Sequence, residues 1–183
     1  MKKILPFIFI ILFPYYIVFL IVSLFNQCLM KYVFQNNFYI GLLSFCVFGV
    51  IAFVNVIILC VNNFAGKFNA IEAAQINMII KMIQIPAYLF IFVIGFMCLL
   101  TIFTVGISFV LLILDGISII LSGLIGVFVV RRCYADGILT RTEMLLHSIL
   151  QFVFCFDVVS AIIVYRKIKT INIASKSVFF SCQ

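Results

Sequence analysis

Long apolar runs separated by short polar segments form the main pattern along this chain. A run of roughly 20 apolar residues crosses the hydrocarbon core of a bilayer as a helix. The runs do not alternate apolar and polar residues, as the strands of a membrane barrel do. The pattern therefore predicts an all-α, polytopic bundle of transmembrane helices, with about five spans and one interfacial helix. The predicted spans cover residues 4–25, 38–61, 85–103, 107–130 and 144–165.

The longest apolar stretch, residues 85–130, carries a single charge, Asp115. As one helix it would be about 69 Å long, against roughly 30 Å of hydrocarbon, so the chain has to turn back within it. Apolarity weakens over Thr101–Gly106, which predicts the turn there. The pair Asp115-Gly116 is the alternative turn, but it leaves only about 14 residues for the next crossing.

Capping signals place the ends of three predicted helices. Asn69 and Glu72 form a variant of the capping box, which predicts a helix start near residue 70 and an interfacial helix over about 70–84. Gly137 is a C-cap candidate, and Thr140 with Glu143 forms a capping box for the following helix. These signals predict a short loop between spans four and five.

The composition excludes a water-soluble fold. The chain has 183 residues, of which 67% are hydrophobic and 9% charged, and its mean hydropathy is +1.41. Soluble domains are roughly 25% charged, so we expect a single transmembrane domain over 1–183 in a cell membrane. The net charge of +7 comes from basic residues at the ends of apolar runs. This favours contact with lipid headgroups over nucleic acid. The expected partners are membrane lipids and, through helix packing, a second copy of the chain or another membrane protein.

Charge also predicts the threading. Lys2 and Lys3 before a long apolar run predict an uncleaved first span with a cytoplasmic N-terminus. Five spans then put seven basic residues inside and five outside, including those of the tail 166–183, which is basic and too short to cross. If span five lies in the interface or re-enters, the distribution becomes eleven to one, which the positive-inside rule favours. The five-span threading is the one predicted here, and the alternative stays open.

One face of span four carries the polar groups of interest. At roughly 100° per residue, that face contains Ser108, Leu111, Asp115, Ser118, Ser122 and Gly126. The serines and the glycine form a small-residue ladder that lets another helix approach closely. Asp115 has two interpretations, either a structural bond to a partner or a proton or cation role, because intramembrane acids are costly.

Span five and the interfacial helix supply further candidates. His147, Gln151 and Phe154 share a face, with Asp157 to one side. One interpretation is a polar stripe bonded across helices, with Gln151 as a packing residue. The other is a cavity for a proton or cation flanked by Asp115 and Asp157. The membrane interface is the expected place of Lys81, which can extend its ammonium out of the bilayer, and of Gln84 and His147.

No catalytic constellation, metal-ligand cluster or cofactor motif is present in the sequence. The seven cysteines contain no C-x-x-C pair, and most read as small buried hydrophobes. We therefore expect a non-enzymatic membrane component that acts through helix packing. The alternative is a small proton- or cation-coupled transporter that uses Asp115 and Asp157.

Three segments, Asn77–Tyr88, Thr101–Thr104 and Gln151–Asp157, resemble a family of small multi-spanning bacterial membrane proteins with no assigned function. The resemblance covers most of residues 72–169. It implies a polytopic membrane protein and assigns no functional residues.

Overall fold

The computed structural model describes residues 5–64, 69–100 and 104–181, with side chains for 7–62, 69–100 and 104–173. The described chain is helical, as the sequence predicts. Its helices are α1 (Leu5–Phe25), α2 (Gln27–Phe34), α3 (Phe38–Phe64), α4 (Ala70–Leu99), α5 (Val105–Ala135), α6 (Arg141–Leu150) and α7 (Phe156–Ser181). The expected anchor at Lys2 and Lys3 lies outside the described residues.

Four helices in the described part of the chain are long and apolar enough to cross a membrane. They are Phe7–Phe25, Phe38–Asn62, Ala70–Leu99 and Val105–Ala135. This supports a membrane protein, with one candidate span fewer than the five expected. The missing one is predicted span five, which forms two helices, α6 and α7, instead of one. At 10 residues, α6 is about 15 Å long and too short to cross.

Helix α4 joins the predicted interfacial helix and span three into one helix of 30 residues. It begins directly after Asn69, as its capping signal predicts. Pro86 lies inside this helix and lacks the N–H that would donate a backbone hydrogen bond to the preceding turn. A proline ring also weakens the adjacent backbone hydrogen bond of a helix. The Tyr15 hydroxyl donates to the carbonyl of Ile83 at 2.5 Å, which satisfies an acceptor in that turn.

Two other predicted connections, the turn within residues 85–130 and the polar segment after span one, can be compared with the helix bounds. The long apolar stretch does break between Leu99 and Val105, although Thr101–Phe103 lie outside the described residues. The Asp115-Gly116 alternative falls within α5. The first polar loop contains a short helix, α2, because the Asn26 side chain accepts hydrogen bonds from the first backbone N–H groups of that helix.

The chain comprises two compact units. The first contains Met1–Ile57 and Ile83–Leu121, and the second contains Ile58–Met82 and Ser122–Gln183. The core of the first includes Ile10, Ile17, Val56, Ile91 and Leu111; that of the second includes Ile80, Val130, Cys133, Ala161 and Ile168. The expected single domain over 1–183 stays a prediction.

Candidate functional site

The second unit contains a buried ion pair. The Nζ atom of Lys81 lies 2.7 Å from Oδ2 of Asp157, and the two side chains are 0% and 3% exposed. The same ammonium donates to the Ser122 hydroxyl at 3.0 Å. Three buried polar groups from three helices, α4, α5 and α7, therefore meet at one point. We call this set the ion-pair site.

Local backbone structure positions Asp157. The chain turns between α6 and α7, and Cys155 in that turn has a positive φ of 66°. Asp157 thereby falls in the first turn of α7, where its Oδ1 accepts a hydrogen bond from the Val158 N–H at 2.8 Å. A carboxylate is favoured at a helix N-terminus by the unpaired N–H groups there. The turn leaves Oδ2 for Lys81.

Neutral polar groups form a second buried set in the same unit. Nδ1 of His147 lies 2.9 Å from the Ser160 hydroxyl, and the Gln151 amide donates to that hydroxyl at 3.2 Å. All three residues are buried. The Gln151 side chain occupies the space beside Gly126, where a Cβ atom would collide with the amide. Burial lowers the pKa of His147, which favours its neutral form.

An exposed ion pair lies in the same unit. The Lys167 ammonium is 2.6 Å from the Glu143 carboxylate, and both side chains are more than one-third exposed. Glu143 also completes the predicted capping box with Thr140. The hydrogen bond from Lys167, followed by those from the Thr140 N–H and hydroxyl, lowers the pKa of Glu143 to about 2.

Several buried polar side chains of the first unit bond to neutral groups. The Gln84 amide donates to the Ile10 carbonyl at 2.9 Å and accepts from the Tyr88 hydroxyl at 3.1 Å. The Ser118 hydroxyl donates to that of Tyr88 at 3.4 Å. Ser108 donates to the carbonyl of Gly95 at 2.8 Å, on the far side of the α4–α5 connection.

The predicted ladder is therefore in contact with this chain's own helices. Ser108 and Ser118 bond to α4 residues in the first unit, while Ser122 bonds to Lys81 and Gly126 contacts Gln151 in the second. Close approach of a helix at small residues is the property that the sequence pattern suggests, and the packing role of the ladder stays a prediction.

The three residues expected at the membrane interface are more buried in the protein than that expectation implies. Lys81, Gln84 and His147 are 0%, 1% and 8% exposed, and their polar atoms bond to protein groups. Lys81 does not extend outward because Asp157 supplies a buried partner for its charge. Their depth in a membrane stays a prediction.

Asp115 and Asp157 belong to different units and have different surroundings. Asp115 lines a cavity between α4 and α5 in the first unit, whereas Asp157 pairs with Lys81. The proposed shared cavity stays a prediction. Ser160 was missed by sequence reasoning, although its spacing of three from Asp157 places both on one face of a helix.

The ion-pair site combines a cation, an anion and a hydroxyl group, and all three are buried. Among the described residues, no group of three His, Cys, Asp or Glu side chains is placed to hold a metal ion. No family model, curated protein or solved structure matches the chain. The resemblance to a bacterial membrane family accordingly stays a prediction.

Proposed function

We propose that this chain is a small proton- or cation-coupled transport protein rather than an enzyme, and that the Lys81–Asp157 pair is its charge-coupling group. The observation that supports the proposal is the full burial of this pair. Ionisable residues inside membrane segments are costly, so they mark ion and proton pathways by default. Replacing a buried ion pair with well-packed apolar residues of similar volume often leaves the stability of a protein unchanged or increases it. A role for charge therefore explains the presence of Lys81 and Asp157 better than a role in packing does.

The coupling step follows from the bonds of Lys81. A proton added to Asp157 removes the negative charge and leaves the ammonium with the Ser122 hydroxyl as its neutral partner. A buried ammonium without a counter-ion is unfavourable, so protonation favours an arrangement in which Lys81 meets water or another anion. A cation that displaces Lys81 from Asp157 has the same consequence.

A component that acts through packing against other proteins is the second candidate. The ladder on α5 motivates it, but the ladder already contacts this chain's own side chains. Helix α3 presents exposed apolar side chains, including Leu43, Val50 and Val61. Contact with membrane lipid satisfies such a face without a protein partner, and lipid is the partner that we propose.

We propose that all four candidate spans cross a cell membrane, so that the segments before the first and after the last of them lie on the same side. We propose that this side is cytoplasmic. Lys31 is then the only basic residue on the outer side of the membrane, while Lys81 is buried within α4. The positive-inside rule favours this distribution. Single-cysteine variants that retain Cys28 or Cys182 test this with an impermeant thiol reagent on intact cells. Labelling of Cys28 alone is expected. Labelling of both supports the five-span threading.

The transport proposal is tested in proteoliposomes that contain a trapped pH dye, with proton entry driven by an imposed potential. Asp157→Asn and the double variant Lys81→Met/Asp157→Leu are expected to reduce proton entry to that of empty vesicles. Glu143→Gln is the matched control, since it neutralises an exposed carboxylate in an ion pair. Asp115→Asn tests the acid within α5. Equal proton entry for the parent chain and a folded double variant overturns the proposal.

A further inference from the structure

Helices α6 and α7 of the second unit fold back on each other as a hairpin. At its open end the Lys167 ammonium lies 2.6 Å from the Glu143 carboxylate, and nearer the turn Nδ1 of His147 lies 2.9 Å from the Ser160 hydroxyl. Residues 151–155 form the turn. Measured from the Lys167–Glu143 pair to the turn, the two arms are about 12 Å and about 17 Å long. Neither arm can cross a hydrocarbon core of roughly 30 Å.

The outer surface of this hairpin is apolar. Residues 144–165 contain a single Asp, Glu, Lys or Arg residue, Asp157, and it is buried. Six large apolar side chains in the two arms and the turn are each more than two-fifths exposed: Leu145, Leu146, Ile149, Phe156, Val159 and Ile163. The exposed basic residues Arg141, Arg166 and Lys169 lie at the open end. An apolar surface with charges at one end only is typical of a segment that enters a bilayer from one side.

Contacts with α4 and α5 fix the depth of the turn. Asp157 pairs with Lys81, which lies 11 residues after the start of α4, or about 16 Å along it. Lys81 also donates to Ser122, which lies 13 residues before the end of α5, or about 20 Å from it. Half of the hydrocarbon core is about 15 Å thick. The hairpin turn therefore lies near the middle of two candidate spans and not at their ends.

Two glycines of α5 allow the turn to approach closely. A Cβ atom on Gly123 would lie 2.9 Å from the Gln151 carbonyl oxygen, and one on Gly126 would collide with the Gln151 side chain. Within the turn, the Val153 N–H donates to a carbonyl of α6 at 3.3 Å, and the Val153 carbonyl accepts from the Asp157 N–H at 3.0 Å. Hydrocarbon offers no hydrogen bonds, so non-helical backbone at this depth needs such bonds and protein contact.

We infer that α6 and the first half of α7 form a re-entrant hairpin. It enters the bilayer from the side of residues 136–140, rests against the glycines of α5, and returns to the same side at Arg166. Acyl chains of that leaflet cover its apolar surface. Lipid is the occupant because this surface lies at the depth of the middle of α4 and α5, with its exposed charges confined to the open end. The inference rests on the proposed crossing of the membrane by α4 and α5, and not on proton transport.

The depth of the turn is measured by fluorescence, because the chain contains no Trp and one introduced Trp gives a single signal. The full chain is placed in vesicles of phospholipids that are brominated either near the end or near the start of the acyl chains. Phe156→Trp is expected to be quenched more by the deep bromines than by the shallow ones. Met82→Trp, beside Lys81 and 49% exposed, is the deep reference, and Tyr134→Trp near the end of α5 is the shallow one.

Two results of this experiment overturn the inference. Quenching of Phe156→Trp mainly by the shallow bromines, as expected for Tyr134→Trp, places the hairpin at the membrane surface. Quenching by neither lipid shows that protein, and not acyl chains, covers the apolar surface.

Sidedness is measured with the single-cysteine variants Ala135→Cys and Lys169→Cys and an impermeant thiol reagent. Labelling of both from the same side of the membrane is expected. Labelling from opposite sides means that residues 144–165 cross, which overturns the inference. The proton-entry assay is independent of this result, so a hairpin that re-enters without transport, or the reverse, is recognised.

A glycine variant tests the contact with α5. Gly123→Leu, combined with Phe156→Trp, is expected to shift quenching toward the shallow bromines, because the new side chain displaces the Gln151 carbonyl. Gly116→Leu is the matched control in the same helix, since a Cβ atom there meets nothing within 4 Å, and it is expected to leave quenching unchanged. Unchanged deep quenching in a folded Gly123→Leu chain overturns the placement of the hairpin against α5.

Discussion

Two lysine–carboxylate pairs in the second unit have nearly the same geometry and opposite surroundings. Lys81–Asp157 is 2.7 Å long and almost fully buried, whereas Lys167–Glu143 is 2.6 Å long and more than one-third exposed on both sides. At the exposed pair, water and salt screen the attraction, and two long side chains lose freedom. At the buried pair, each charge depends on the other because little else solvates it. Burial, and not distance, decides what each pair contributes.

The largest expected effect comes from breaking the buried pair on one side. Asp157→Asn leaves the Lys81 ammonium buried without a counter-charge, and we expect a loss of about 3–5 kcal/mol in the free energy of unfolding. Unfolding in mixed detergent micelles, followed by circular dichroism, measures it. Glu143→Gln makes the same chemical change at the exposed pair and is expected to have a far smaller effect. Similar losses at both positions would show that burial is not the deciding variable.

Removing both buried charges is expected to reverse most of that loss. The double variant Lys81→Met/Asp157→Leu contains no uncompensated charge and fills the space with apolar atoms. We expect its stability to equal that of the parent chain or exceed it by about 1–4 kcal/mol. The same unfolding assay gives the coupling energy as a double-mutant cycle. A double variant as unstable as Asp157→Asn contradicts the expectation and assigns the pair a structural role.

The pH dependence of stability that His147 causes is expected to be smaller than the effects at the buried pair and larger than those at the exposed pair. Burial lowers its pKa in the folded protein below the ordinary value of 6.5, the nearby Glu143 raises it, and Lys167 lowers it. The unfolded chain therefore binds the proton more readily, so stability is full above pH 6.5 and falls as the pH drops toward the lowered pKa. Thermal unfolding of the parent chain between pH 8 and pH 5 measures this.

Two variants assign that slope to His147. His147→Gln does not titrate in this range and is expected to flatten the change in Tm. Lys167→Met removes a neighbouring positive charge, which raises the pKa of His147 toward 6.5 and makes the loss smaller. An unchanged slope in His147→Gln would assign the pH dependence to another group.

The exposed pair is expected to give the smallest effect, and the change of that effect with pH is confined to acidic pH. Its hydrogen bonds lower the pKa of Glu143 from 4.5 to about 2, so its contribution is complete above pH 4.5 and is lost as the pH falls toward 2. The double variant Glu143→Gln/Lys167→Gln is expected to differ slightly from the parent chain at pH 7, and less in high salt. A large difference that salt does not reduce would contradict it.

Local signals account for most of the fold that could be predicted. Apolar run length gave the helical membrane class, and the structure has helices at the first two predicted spans. Asn69 and Thr140 marked the starts of α4 and α6 because caps act within one helical turn. The break between α6 and α7 carries no glycine or proline. At this break Gln151 contacts two residues outside the turn. Gly126 lies 25 positions earlier in the chain, and Ser160 lies in α7, on the other side of the turn.

The sequence by itself determined that Lys81, Asp115, Asp157 and the small-residue face of α5 are exceptional in an apolar chain, because hydropathy and helical period are properties of neighbouring residues. Only the tertiary structure decided that Lys81 pairs with Asp157, 76 positions away, while Asp115 lines a cavity in the other unit. The choice among possible partners for a charge depends on which helix faces pack together. That packing is a non-local property, which a sequence pattern does not contain.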